Sequence, residues 1–212
     1  MQRNVDNALY FIPEQLAKSV EKNMNAKSAE AGANFPDELK PLISSAIMTN
    51  NIQVGFLAFA FGITLGLGTL YILAMNGMLL GALAALFAKH GYLYQFSALI
   101  LPHGFMELTA VFICGGAGIL LGYSLVDPGD LSRNDSLVLG GKDAVKLVFG
   151  VIPLFVAAAA IEGFVTPAHI PPGAKIGIAL FTLLPVNLYL FSSFLRKKPA
   201  RAEGEAADAG RR

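Results

Sequence analysis

From Pro41 to Ala88 the sequence contains no Asp, Glu, Lys, Arg or His. Between Gly104 and Val126 its single charge is Glu107, and between Leu147 and Ala174 it is Glu162, with His169 as the other ionisable residue there. Charged residues make up 15% of the chain and hydrophobic ones 54%, against roughly 25% charge in a soluble domain. Uncharged apolar runs of this length argue for membrane spans, since a helix needs ~20 apolar residues to cross the hydrocarbon core. A formal net charge of +1 gives no basic face, so nucleic acid is excluded as a partner. The one cysteine, Cys114, rules out an intrachain disulfide. It lies in an apolar run and reads as a buried structural thiol, because reactive thiols need polar surroundings.

What the sequence does contain organises into three parts. Residues 1–50 form a polar, partly helical N-terminal segment. Residues 51–195 form an all-α, polytopic transmembrane bundle of about five spans. Residues 196–212 form a basic, disordered tail. The first span is expected from about Ile52 to Ala74, and Asn76-Gly77 reads as a turn. Met78 to Leu101 either crosses once or re-enters. Pro102 suits the first turn of a new helix running to Val126, so one span is expected to break near it. A polar loop over 127–143 precedes spans at about Ala144–Phe164 and Ala174–Leu195. Lys and Arg near span ends set orientation. Arg196, Lys197, Lys198 and Arg201, with Arg133, Lys142 and Lys146, place the tail and the 127–143 loop in the cytoplasm. The chain is then integral to the cytoplasmic (inner) membrane. The Pro-rich 165–173 connection has no Lys or Arg and suits the outer side. If Met78–Leu101 crosses, the N-terminal segment lies outside; if it re-enters, inside.

An ionisable group in a span is costly, and is a functional-site hypothesis by default. His103 and Glu107 are four residues apart and share a helix face. The expected topology brings Glu162 to their depth, with His169 on the adjoining outer loop. As a structural clamp, these groups would tie helices through hydrogen bonds. As a transport site, they would resemble the buried carboxylates and interrupted helices of small-solute or ion carriers. As a zinc site, His103, Glu107, Glu162 and His169 have suitable atoms. However, His-x-x-x-Glu is not the His-Glu-x-x-His of metalloproteases. No catalytic set and no cofactor motif is legible, and the metal question stays open. Three small-xxx-small pairs, Gly62/Gly66, Gly77/Gly81 and Gly118/Gly122, are expected to pack helices closely. The contacts are read first as intramolecular and second as a homo-oligomer interface.

Several short motifs recur in a fixed order: Asn50-Asn-Ile-Gln-Val54, the Gly62-to-Gly68 run with Thr69, Asn76-Gly77 with Leu80-Gly81, and Pro102-His-Gly-Phe-Met-Glu107. Gly115-Gly-Ala-Gly118, Asp127-Pro-Gly129 and Ile161-Glu-Gly-Phe-Val-Thr-Pro167 complete the series. This ordered set, over about residues 49–167, resembles the stage II sporulation protein M family of integral membrane proteins. Family members usually carry a further span upstream, so the chain looks like an N-terminally truncated version, with 1–50 as an outer loop. That favours five crossings. In spore formers the family member belongs to a membrane complex that recruits peptidoglycan-degrading enzymes during engulfment. Relatives also occur in bacteria and archaea that make no spores. The resemblance implies a non-enzymatic scaffold that organises a membrane or cell-envelope complex. Its expected partners are the lipid bilayer and envelope proteins, peptidoglycan hydrolases among them. No catalytic residues carry over from the family.

Overall fold

A computed structural model describes Lys18, residues 39–166, Ala168 and residues 170–195. Apart from Lys18, which is helical, the helical patches expected before residue 39, the tail beyond 195, and His169 lie outside the described residues. The described chain is all-helical. It comprises α1 (Leu39–Ala60), a 3₁₀ turn (Phe61–Ile63), α2 (Leu67–Lys89), α3 (Leu93–Val126), α4 (Arg133–Val165) and α5 (Pro172–Leu195). All five long helices are long and apolar enough to cross a membrane. Lipid offers the backbone no hydrogen bonds, so each segment satisfies its own N–H and C=O groups as helix. Many large apolar side chains point outward, among them Phe56, Tyr71, Phe112, Phe149, Phe164 and Phe181. A soluble monomer rarely shows so large an apolar surface; on a bundle in hydrocarbon it is the surface that meets lipid.

Helix α3 is the axis of the bundle and packs against each of the other four helices. Two apolar clusters surround it. One joins α1, α2 and α3 through Ile47, Leu83, Leu86, Phe87, Phe96 and Leu99, with the Phe87 and Phe96 rings stacked at a centroid distance of 4.4 Å. The other joins α1, α3, α4 and α5 through Val54, Val111, Cys114, Val151, Phe155 and Val186. On α1 and α3, the buried Asn51, His103 and Glu107 fall where one cluster gives way to the other.

The number of candidate spans among the described residues agrees with the sequence reading, but the boundaries of the early ones do not. The expected first span is interrupted at residues 61–66, where Leu65 and Gly66 both take left-handed backbone, φ 58° and 82°. Glycine adopts that conformation without steric penalty. An apolar run of glycine and leucine conceals such a turn from any hydropathy window. Asn76-Gly77, expected as a turn, lies inside α2, where Asn76 accepts a hydrogen bond from Asn50 Nδ2 at 2.7 Å. The expected break near Pro102 is also corrected: α3 runs continuously through it. Proline removes one backbone bond, a loss that packing against neighbouring helices makes tolerable in membrane helices. Finally, most of the expected 127–143 loop is helix. Ser132 caps α4 by accepting from the Asp135 N–H at 3.2 Å. This is the S-x-x-D form of a helix start, and it carries α4 beyond the length hydrocarbon requires.

Candidate functional site: a buried polar level across the bundle

The contacts between α1 and α3 keep one register. Asn51 meets Glu107, its partner 56 positions on. Gly62 meets Gly118 and Gly66 lies against Gly122, both at the same spacing. A constant offset means that the two segments run parallel. At the glycine end the backbones touch. A Cβ built on Gly62 would lie 2.1 Å from the Gly118 carbonyl oxygen, and one on Gly118 2.3 Å from that of Ala58. Gly122 is equally confined, 2.3 Å from the Gly66 nitrogen. Thr69 fastens the same place from α2, its hydroxyl donating to the Ala58 carbonyl at 2.6 Å. Of the six expected packing glycines, Gly62, Gly66, Gly118 and Gly122 therefore meet within the chain. Gly77 and Gly81 instead face open space, with nothing within 4 Å of an added Cβ.

About three turns along the helices from the Gly62–Gly118 contact lies the polar level. His103 and Glu107 are fully buried on α3, and Asn51, Asn76 and Glu162 are buried on α1, α2 and α4. Asn51 Nδ2 donates to Glu107 Oε2 at 2.8 Å. Glu162 is buried on α4, which packs along α3. The other carboxylate oxygen of Glu107 and both ring nitrogens of His103 have no hydrogen-bond partner among the described residues. His103 and Glu107 are buried one turn apart on α3 and Glu162 is buried on the adjoining α4, while the position of His169 is not described. Among the described residues, no three of His, Cys, Asp and Glu gather as a metal-binding group.

Sequence reasoning missed three contributors. Asn50, Asn51 and Asn76 line a cavity of about 150 Å³ with Ile47, Leu80 and Leu83. They stand in otherwise apolar helices, and that rarity was the available signal. Lys175 was also missed. It is buried in the first turn of α5, where its Nζ donates to the Thr166 carbonyl at 2.7 Å. A lysine at the start of an apolar span reads as a flank until the neighbouring connection is seen folding over it. Chemically, the level can clasp α1 to α3, and it presents acceptor groups in a region that water reaches poorly.

Comparison with known proteins agrees with this architecture. The family model described as Stage II sporulation protein M matches residues 8–167. An uncharacterized protein of Methanocaldococcus jannaschii is 34% identical over 157 residues, covering 72% of this chain and 82% of the relative. A second uncharacterized protein of the same organism is 28% identical over 124 residues, covering 57% of this chain and 54% of the relative. No solved structure matches the chain.

Proposed function

The chain belongs to the stage II sporulation protein M family, and from that premise we propose that it is a non-enzymatic membrane scaffold. Its role is to organise a membrane or cell-envelope complex. Its partners are envelope proteins, and in a spore former these include peptidoglycan-degrading enzymes. The observation that carries the reading is the backbone contact of Gly62, Gly66, Gly118 and Gly122. Close approach of this kind fixes helices against each other and gives a rigid platform from which loops and termini can be displayed. The Asn51–Glu107 bond ties the same two segments a second time. By the positive-inside bias, the C-terminal side faces the cytoplasm, and the 127–132 turn and the tail are the docking elements there. Sporulation is not part of the proposal, since both relatives named above come from an archaeon.

Cross-linking in the native membrane, followed by co-purification, tests this. The full chain is expected to recover defined envelope proteins, and deletion after Lys198 to weaken the cytoplasmic ones severalfold while leaving insertion intact. A transport role is the second reading, favoured by the ionisable side chains buried within apolar helices. Solute or ion flux into liposomes holding the purified chain, with no partner recovered from the membrane, would replace the scaffold by a carrier.

A further inference from the structure

Glu107 does more than receive a bond from Asn51. Its Oε2 is occupied at 2.8 Å, but Oε1 has no hydrogen-bond partner among the described residues, nor has either nitrogen of His103 one turn away. Both side chains are 0% exposed. The large majority of buried side-chain polar atoms in native proteins are paired, so three unpaired atoms within one helical turn mark a place built to receive something. We infer that Glu107 is an intramembrane proton-binding site and that His103 is the neighbour that shares the bound proton. This does not depend on the scaffold reading.

The donor and acceptor inventory identifies the ligand. An ionised carboxylate only accepts, whereas a carboxylic acid also donates, and a neutral imidazole has one nitrogen that accepts. A proton on Oε1 therefore turns an oxygen without a donor into a donor, with the acceptor nitrogen of His103 on the same face. A metal ion would need a larger set of ligands than the described His, Cys, Asp and Glu residues bring together. Other polar groups are buried on the neighbouring helices. Helix α4 carries Glu162, and α5 carries Lys175, which donates to the Thr166 carbonyl. Helices α1 and α2 bring the carboxamides of Asn50, Asn51 and Asn76. The cavity of about 150 Å³ against those three asparagines has room for several waters at ~30 Å³ each, and Asn51 lines it while bonded to Glu107. In the binding step a hydronium O–H bond breaks, the Glu107 Oε1–H bond forms, and a neutral water remains. Release reverses it.

Infrared difference spectra of the full chain in lipid nanodiscs, recorded between acidic and alkaline buffers, test the site. A buried carboxylic-acid C=O band is expected to come and go with pH. It should shift when the unsubstituted chain carries 13C-labelled glutamate. It should vanish in Glu107→Gln and be displaced in Asn51→Leu. His103→Leu should move its titration midpoint, which a merely structural histidine would leave in place. Circular dichroism and gel filtration establish that each variant is folded. No titrating glutamate band in the labelled unsubstituted chain would overturn the inference. So would a band that persists in folded Glu107→Gln. If that variant does not fold, Asn51→Leu decides: a displaced band supports the site, and an unmoved one refutes it.

Discussion

Replacing Gly62 with alanine probes the closest contact in the bundle. The added methyl would sit 2.1 Å from the Gly118 carbonyl oxygen and 2.6 Å from its carbonyl carbon and Cα, whereas ordinary contact begins near 3.4 Å. Both sides of the contact are main chain, so no side chain can swing away. Helix α3 and the turn after α1 must separate by about 1 Å. Overpacking of this kind destabilises by ~1–3 kcal/mol. Separation also strains the Thr69–Ala58 bond beside Gly118, and interhelical polar bonds in membranes average ~0.6 kcal/mol. The alanine regains ~0.4–1 kcal/mol by restricting the unfolded chain. A net loss of about 1–3 kcal/mol follows. The assay is reversible unfolding of the purified protein in mixed detergent micelles, followed by circular dichroism. Gly77→Ala and Gly81→Ala are the controls. Their added methyls meet nothing within 4 Å, so they should be neutral or stabilising by up to ~1 kcal/mol. Equal destabilisation at Gly62 and Gly77 would refute the assignment of the contact face.

Three further outcomes are expected. Gly140→Ala should lose less than Gly62→Ala in the same unfolding assay. Its methyl meets chiefly the Ser124 hydroxyl, at 1.9 Å, and a serine can rotate away at about 1 kcal/mol by giving up its bond to Leu120. With Glu162 acting as part of a polar clamp, Glu162→Gln should unfold later than Glu162→Leu, because glutamine keeps hydrogen-bonding capacity; the reverse order would remove Glu162 from the clamp. In a Cys114→Ala background, cysteines placed at Asp130 and at Ala168 should be labelled from opposite sides of sealed vesicles, and labelling from one side alone would contradict five crossings.

Much of this architecture was legible because lipid leaves a chain few options. An uncharged run such as Pro41–Ala88 has to be buried in hydrocarbon, and helix is the conformation that satisfies its backbone there. The shared face of His103 and Glu107 followed from helical spacing. The turn at Leu65-Gly66 was not legible, since glycine and leucine occupy spans and turns alike. Nor was the continuity of α3 through Pro102, where tertiary packing overrides a local signal that in water would end a helix. Asn51 was visible as a motif residue, yet its role was not, because its partner lies 56 positions away and a single sequence carries no contact information. The divergence of Gly62/Gly66 and Gly118/Gly122 from Gly77/Gly81 has the same origin. Identical spacing produces a contact only where a second helix stands opposite.

The most direct test is a double-mutant cycle on Asn51 and Glu107, which joins α1 to α3 at the polar level. Asn51→Leu and Glu107→Met keep side-chain volume while removing the bond. Each single change strands a buried polar group, and the pair together strands neither. Unfolding free energies should therefore be non-additive, with the double variant more stable than the sum of the two losses predicts by about 0.6–1.7 kcal/mol, the range for interhelical polar contacts in membranes. Losses that add within about 0.3 kcal/mol would show that the two side chains do not meet, and would contradict the register on which the polar level rests.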